Sequence, residues 1–319
     1  MAKSGLPVAE QRNKILATLD TNQVVIVVGQ TGSGKTTQIP QILLDAGFAN
    51  EGRIACAEPR RIAAVSSAMR VAEERGSEAG QEIGYQIRFQ RKISRATLVK
   101  FVTYGILAKE AMSDPMLSQY SCVIVDEAHE RSLFSDFLRG YLKKVCEARR
   151  DFRVIITSAT LDHEEFLNYF SGAKLIEIST RQYPVEIRYV KRGDKNLAEV
   201  IGALVREIHS GPEGDILVFM PGEREIRELV AIGNQFRRDL VFMPLYSGLS
   251  PDDQRSVFRR VPGRKVVVAT NIAETSLTID GVRYVIDTGF AKEPSFNPRN
   301  SIQSLRLVKI SKSAANQRA

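Results

Sequence analysis

The 319-residue chain has no tryptophan, only three cysteines and three histidines, and no long apolar run. Cys56, Cys122 and Cys146 are odd in number, scattered, and partly inside apolar strand-like stretches, which predicts buried thiols in a reducing compartment rather than a disulfide framework. No zinc-ligand spacing is present, and of the histidines only His129 lies within a motif. The N-terminus lacks the apolar core of a secretion signal, and no run approaches the ~18 apolar residues that a membrane span needs. These absences predict a soluble, intracellular protein, nuclear or cytoplasmic, with no membrane contact.

The hydrophobic content, 43%, is enough for two ordinary domain cores at this length. Forty-five Lys and Arg against 37 Asp and Glu give a net charge of +8, which favours an anionic partner without proving one. From Arg283 onward the basic residues Arg283, Lys292, Arg299, Arg306, Lys309, Lys312 and Arg318 face only Asp287 and Glu293. A solvated surface would also explain such a stretch.

Short apolar runs alternate with helical patterns. Val24 to Val28, Ile54 to Ala57, Leu98 to Val102, Cys122 to Val125 and Val154 to Ile156 read as buried strands of one doubly wound domain. After Arg181-Gln182-Tyr183-Pro184 a second series begins: Val185 to Val190, Ile216 to Met220, Leu240 to Met243, Val266 to Ala269 and Tyr284 to Ile286. Leu197 to His209, Glu223 to Gln235 and Pro251 to Arg259 read as helices between them. The fold class is α/β with mostly parallel sheets, in two domains spanning residues 1–182 and 183–319.

The first strand runs into Gly29-Gln30-Thr31-Gly32-Ser33-Gly34-Lys35-Thr36-Thr37, a phosphate loop at a strand-to-helix turn. Its glycines permit backbone angles and a close phosphate approach that a Cβ would block, and the emerging helix offers free N–H groups and a positive dipole end. Lys35 would reach the β and γ phosphates, and Thr36 would offer its hydroxyl to Mg²⁺. The run Cys122 to Val125 ends at Asp126-Glu127-Ala128-His129, where open α/β sheets gather their ligands. Asp126 would hold the Mg²⁺ shell through water, and Glu127 would join that shell and polarise the attacking water. A lone Asp-Glu pair is commonly just a solvated helix cap; the phosphate loop nearby tips the balance.

Further motifs follow in order: Glu58-Pro59-Arg60-Arg61, Ser158-Ala159-Thr160, the segment Thr270-Asn271-Ile272-Ala273-Glu274-Thr275-Ser276-Leu277-Thr278-Ile279, and the terminal Gln317-Arg318. With the phosphate loop and Asp126 to His129, the sequence resembles the DEAH-box ATP-dependent RNA helicases of superfamily two along essentially its whole length. The resemblance implies two tandem RecA-like (P-loop NTPase) domains that bind ATP or another NTP in their cleft and single-stranded RNA across their tops.

The resemblance also implies site residues. His129 joins Lys35, Asp126 and Glu127 in the catalytic set, and Gln317 helps Glu127 orient water. Ser158, Ala159 and Thr160 link nucleotide to domain closure. Arg70 and Phe258 hold the base, while Thr278 and Asp280 touch sugar and phosphates. By itself Phe258 reads as a core position on its helix, and Asp280 as the start of an Asp280-Gly281 turn. Arg60, Arg61, Thr103, Thr270 and Asn271 match positions near the RNA backbone, contacts that give affinity without sequence choice. The stretch Ile286 to Ile310 corresponds to a β-hairpin that helps part duplexes, with Lys292, Arg299 and Arg306 adding charge. The protein would act as a monomer, with an activator protein and a ribonucleoprotein target. A nucleotide-dependent RNA clamp is the alternative; a kinase or transport ATPase would not account for Thr270 to Ile279.

Three departures stand out. Ala57-Glu58 replaces Thr-Gln, placing a carboxylate beside the expected RNA path that is unfavourable unless Arg60 or Arg61 pairs with it. Thr103-Tyr104-Gly105 replaces Thr-Asp-Gly. Both changes are expected to weaken the RNA assignment and to leave the ATP site untouched. The chain stops at Gln317-Arg318-Ala319, before the two later arginines of the family motif, so a fragment that hydrolyses ATP slowly is expected, since an arginine finger contributes ~10³ to 10⁵ in rate. The residues Gly84 to Phe89 and Asp114-Pro115 lean toward eukaryotic members.

Overall fold

The computed structural model of the protein describes residues 5–30, 32–130, 132–159, 164–179, 184–191, 193–235, 239–274, 279–297 and 302–319. It divides into two compact units, Met1–Gln182 and Tyr183–Ala319.

The first unit is built on eight strands: β1 (Val24–Gly29), β2 (Arg53–Glu58), β3 (Ile83–Ile87), β4 (Gln90–Lys92), β5 (Val99–Thr103), β6 (Tyr120–Val125), β7 (Arg153–Ser158) and β8 (Lys174–Ile178). They lie in the order β4-β3-β5-β2-β6-β7-β1-β8. Every neighbouring pair is parallel except the β3–β4 hairpin.

Continuous apolar runs are what a sheet covered on both faces requires, since successive side chains point to opposite sides. Val25, Val27, Ile54 and Cys56 pack in one core, while Val24, Ile26, Val28, Ala55 and Ala57 pack in the other. Helices α1 (Pro7–Glu10), α2 (Arg12–Thr21), α3 (Lys35–Asp45) and α4 (Arg61–Glu74) close the first core with Val8, Ile15, Ile39 and Ala68. Helices α5 (Tyr104–Ser113), α6 (Leu133–Ala148) and α7 (Glu164–Tyr169) close the second with Leu107, Leu138 and Phe166. Each fully buried Val, Ile or Phe contributes about 1.5–3 kcal/mol. Cys56, Cys122 and Cys146 are buried free thiols.

In the second unit β9 (Asp215–Phe219), β10 (Leu240–Leu245), β11 (Arg264–Ala269) and β12 (Val282–Asp287) form a parallel sheet in the order β10-β11-β9-β12. Helix α8 (Leu197–His209) precedes β9 in sequence, and α9 (Glu223–Gly233) and α10 (Pro251–Ser256) lie between the next strands. An antiparallel hairpin, β13 (Phe290–Asn297) with β14 (Ile302–Lys309), and the terminal α11 (Lys312–Arg318) complete it.

The strand expected at Val185 to Val190 is not one. Val185, Ile187 and Tyr189 alternate as a strand would, yet they are 60%, 61% and 94% exposed and belong to no ladder among the described residues. Alternation supplies one apolar face; only a hydrogen-bonded neighbour turns it into a strand. Conversely β4 went unread because Gln90-Arg91-Lys92 is wholly exposed and has no apolar period. The helix expected to reach Arg259 ends at Ser256.

Gly84 lets the β3–β4 hairpin close. A Cβ there would lie 2.6 Å from the Lys92 carbonyl oxygen and 2.9 Å from Ile93 Cγ2. Gly84→Ala is therefore expected to destabilise the first unit by about 1–3 kcal/mol, the range for overpacking a fixed backbone contact. Urea unfolding measures it, and an unchanged midpoint would contradict the close approach.

Candidate active site

Because β5, β2, β6, β7 and β1 are neighbours and parallel, their carboxyl ends bring Thr103, Glu58, Asp126, Ser158 and Gly29 to one edge of the first sheet. The phosphate loop leaves β1 there. Gly32 and Gly34 take φ of 83° and 90°, the left-handed region that a β-carbon disfavours, and Gly34 directly precedes α3. No side chain caps that helix, so its first N–H groups are left for an anion. Ser33 Oγ donates to the Gln30 carbonyl at 2.7 Å and pins the turn. Thr31 lies outside the described residues. Thr37, one turn in, accepts from the Gln38 amide through its hydroxyl at 3.2 Å.

Lys35 is buried, and its Nζ donates to the carbonyls of Gly29 at 2.5 Å and Gln30 at 3.0 Å. Burial lowers its pKa, opposed by the charges of Glu127 and then Asp126. Thr36 donates its hydroxyl to Asp126 Oδ2, joining the loop to the acidic motif. Asp126 Oδ1 accepts from the Thr157 hydroxyl and, at 3.0 Å, from the Glu127 backbone N–H. The Tyr104 hydroxyl donates to the Asp126 carbonyl oxygen.

Glu127 takes φ 51°, a conformation that costs an L side chain about 1–2 kcal/mol. Flanking bonds hold it: the Ala128 N–H donates to the Thr157 carbonyl at 2.9 Å and the Glu130 N–H to the Glu127 carbonyl at 2.8 Å. Its Oε2 is buried with no hydrogen-bond partner and stands 3.4 Å from His129 Nδ1. Burial, then the Asp126 charge, pushes its pKa up to about 8. His129 Nδ1 lies 3.5 Å from both Ser158 Oγ and the Ala159 N–H. Burial lowers the His129 pKa, which favours the neutral ring whose Nδ1 can accept from Ala159. Thr160 lies outside the described residues.

Both substitutions that looked like losses on the RNA side belong to this site. Glu58 is fully buried beside Asp126, neither carboxyl oxygen has a hydrogen-bond partner, and neither Arg60 nor Arg61 pairs with it. Arg60 instead forms a two-point ion pair with Glu130, at 3.1 and 3.2 Å. Tyr104 is likewise buried against Asp126. The expectation that these changes spare the ATP site is therefore overturned. Sequence reading missed them, with Thr157 and Glu130, because strand alternation sets which neighbour faces inward and a motif comparison does not carry that information.

The remaining candidates belong to both units. Arg61 is exposed at the first position of α4, and Thr103 sits just before α5. Arg70 pairs with Glu74 at 2.9 Å, and Glu74 also accepts from Gln38 and Gln41 of α3 at 2.8 and 2.9 Å. In the second unit Thr270 and Asn271 follow β11, Phe258 is half-buried in the turn after α10, and Asp280 is exposed at the turn before β12. Thr278 and Arg299 lie outside the described residues. Gln317 is half-buried on α11. Its neighbour Arg318 is buried, pairs with Asp287 at 2.8 Å and Glu274 at 3.4 Å, and lies 4.6 Å from the Phe219 ring centroid. Lys292, expected to add charge to the hairpin, is bound to both Glu225 oxygens, at 2.9 and 2.8 Å.

The donor set suits a hard divalent cation. Asp126, the Thr36 hydroxyl and the unpartnered Glu127 oxygen supply oxygen ligands, and among the described residues no group of three or more His, Cys, Asp or Glu forms a closed metal cage. That is the arrangement Mg²⁺ uses when phosphates and water complete its shell.

Glu58 yields a pH prediction. Burial first, then the Asp126 and Glu127 charges, push its carboxyl well above the ordinary 4.5. Between those values the folded state keeps a proton that the unfolded state has released, so stability falls as pH rises. Glu58→Gln removes this loss: relative to wild type it should gain up to about 1.4 kcal/mol per pH unit from about pH 5 upward without nucleotide. Urea unfolding across that range checks it; a pH-independent difference would refute the buried, proton-bearing carboxyl.

Comparison with known proteins adds kinship to this geometry. Residues 9–168 match the DEAD/DEAH box helicase family and residues 199–307 the helicase conserved C-terminal domain. The ATP-dependent RNA helicase HrpA of Escherichia coli (strain K12) is 46% identical over 320 residues, covering 98% of this chain and 25% of that protein. The HrpA homolog of Haemophilus influenzae is 46% identical over 318 residues, covering 98% of this chain and 24% of that protein. The crystal structure of Escherichia coli DEAH/RHA helicase HrpB superimposes with a TM-score of 0.90 at 36% identity, over 98% of this chain and 41% of that one. The chain thus spans about a quarter of the length of the HrpA relatives. These relatives are bacterial, which runs against the eukaryotic leaning and the nuclear alternative.

Proposed function

Given that the chain belongs to the DEAD/DEAH box helicase family, we propose that its first unit binds Mg²⁺-ATP and hydrolyses it, and that turnover drives movement on single-stranded RNA. The observation that carries this reading is the bond from Thr36 to Asp126, which sets the phosphate loop and the acidic motif on one shared carboxylate. Lys35 and the first N–H groups of α3 would hold the β and γ phosphates. Thr36 and Asp126 would hold Mg²⁺, which neutralises phosphate oxygens and favours the ionised form of Glu127.

Glu127 would then accept a hydrogen bond from the attacking water, its backbone fixed by the flanking hydrogen bonds of Ala128 and Glu130. Gln317, Arg70, Phe258 and Asp280 keep their expected roles toward water and nucleotide as part of the proposal, as do Ser158 and Ala159 in coupling. Arg60, Arg61, Thr103, Thr270 and Asn271 are assigned to the RNA backbone. An activator protein, a ribonucleoprotein target, a monomeric state and an intracellular site belong to the same reading.

The test compares wild type with Glu127→Gln and Lys35→Ala for ATP binding and RNA-stimulated hydrolysis. Glu127→Gln should keep binding and lose about 10² to 10⁴ in rate; Lys35→Ala should lose binding. Hydrolysis that is intact in Glu127→Gln would refute the assigned base. Nucleotide-dependent RNA retention without strand displacement would point to the clamp.

A further inference from the structure

Helices α3 and α4 close the same apolar core, yet they also meet through a polar cluster. Gln38 and Gln41 of α3 are fully buried, and both donate through Nε2 to one oxygen of Glu74 on α4, at 2.8 and 2.9 Å. The other oxygen of that carboxylate accepts from Arg70 Nε, one turn earlier, at 2.9 Å. The Glu74 side chain is 7% exposed and that of Arg70 43%. Burial raises the Glu74 pKa, but the bonds from Gln41, Arg70 and Gln38 outweigh it and hold the carboxyl below the ordinary 4.5. Apolar side chains of similar volume would join two helices without burying a charge, so the cluster speaks less for stability than for a fixed geometry.

The two sides of Glu74 lead to two parts of one ligand. Gln38 touches the phosphate loop: its backbone N–H donates to the Gly34 carbonyl at 2.8 Å, and its Cγ is 3.2 Å from where a Cβ on Gly34 would sit. Glu74 is thus one side chain away from the loop assigned to the phosphates. On its other side it grips Arg70, the residue assigned to the base. A long arginine side chain loses much rotamer freedom when it stacks, and a carboxylate that already holds its Nε removes part of that loss before the base arrives. An ordinary exposed pair at this helical spacing contributes little. This one differs, because its carboxylate is buried and anchored from a second helix.

We propose that Glu74 is a positioning residue for nucleotide recognition: it sets the plane of the Arg70 guanidinium for stacking on the base and ties that plane to α3, so that base and triphosphate are gripped as one unit. This rests on the reading of Arg70 as a base contact and adds the residue that holds it. The role calls for a carboxylate and not an amide, since Gln38, Gln41 and Arg70 all donate and a carboxylate only accepts. An amide that kept its oxygen on the two glutamines would turn its NH₂ toward Arg70, donor against donor.

The experiment measures by calorimetry how tightly the 319-residue chain binds Mg²⁺-AMPPNP, a non-hydrolysable ATP analogue, and Mg²⁺-tripolyphosphate, which has no base. Glu74→Gln is expected to weaken AMPPNP binding about three- to tenfold, within the range of one cation–π contact, and to leave tripolyphosphate binding unchanged. Arg70→Ala should lose at least as much, and the double variant no more than Arg70→Ala alone. An unchanged urea midpoint verifies folding; if Glu74→Gln does not fold, Glu74→Asp, which keeps the charge and withdraws the oxygens by one methylene, is read in the same way. AMPPNP binding unchanged in Glu74→Gln but weakened in Arg70→Ala would overturn the positioning role alone, as would equal losses on both ligands or losses that add in the double variant. AMPPNP binding unchanged in Arg70→Ala would overturn the base contact of the proposed function and the positioning role with it.

Discussion

The first unit depends on satisfying one buried carboxylate, Asp126. Its two oxygens accept hydrogen bonds from Thr36, Thr157 and the Glu127 N–H, three donors from three segments. A buried carboxyl group needs such donors, because a buried polar group left without partners is costly. The sheet order supplies them, because β6, β7 and β1 are consecutive neighbours. Asp126 therefore acts as the knot tying the phosphate loop, the acidic motif and the β7 terminus together.

That charge orders the protons around it. Glu58 and Glu127 are buried close enough that ionising either would set like charges together, and both are pushed upward, burial being the larger cause and Asp126 the next. Lys35 is drawn the opposite way by burial and is opposed by the same carboxylates. The cluster thus holds more acidic oxygen than it can ionise alone, a state that cationic charge relieves. Sites that handle triphosphate need this latent demand for positive charge, since each phosphate brought in without a cation would add to it.

Much of this was legible in the sequence. The strands β1, β2, β5, β6 and β7 and the phosphate loop announced themselves as apolar runs with glycine punctuation, because a strand covered on both faces must be apolar at every position. Edge elements carry no such requirement, so β4 could be Gln-Arg-Lys and pass unseen, while Val185 to Tyr189 could alternate like a strand without acquiring a partner. The site was legible as motifs and not as contacts. Glu58 and Tyr104 were read as RNA-side departures because they lie in motifs assigned to the RNA path, whereas Glu58 is buried beside Asp126 and the Tyr104 hydroxyl bonds to the Asp126 carbonyl. Arg318 was read only as a motif residue, and its buried ion pairs with Glu274 and Asp287 require the fold to be seen.

The inward turn of Glu58 and Tyr104 changes how the two faces of this edge can communicate. The same short segments carry one residue toward Asp126 and another toward the proposed RNA track: Glu58 with Arg60 after β2, and Tyr104 with Thr103 at the end of β5. Arg60 is in turn bound to Glu130, three residues past Glu127. RNA phosphates competing for the Arg60 guanidinium would loosen its hold on Glu130, and with it the strained turn that fixes Glu127. Such a linkage is a coupling free energy only if the turn has two arrangements of nearly equal stability. The left-handed Glu127, held by flanking hydrogen bonds against its own preference, is the element of this site closest to that condition.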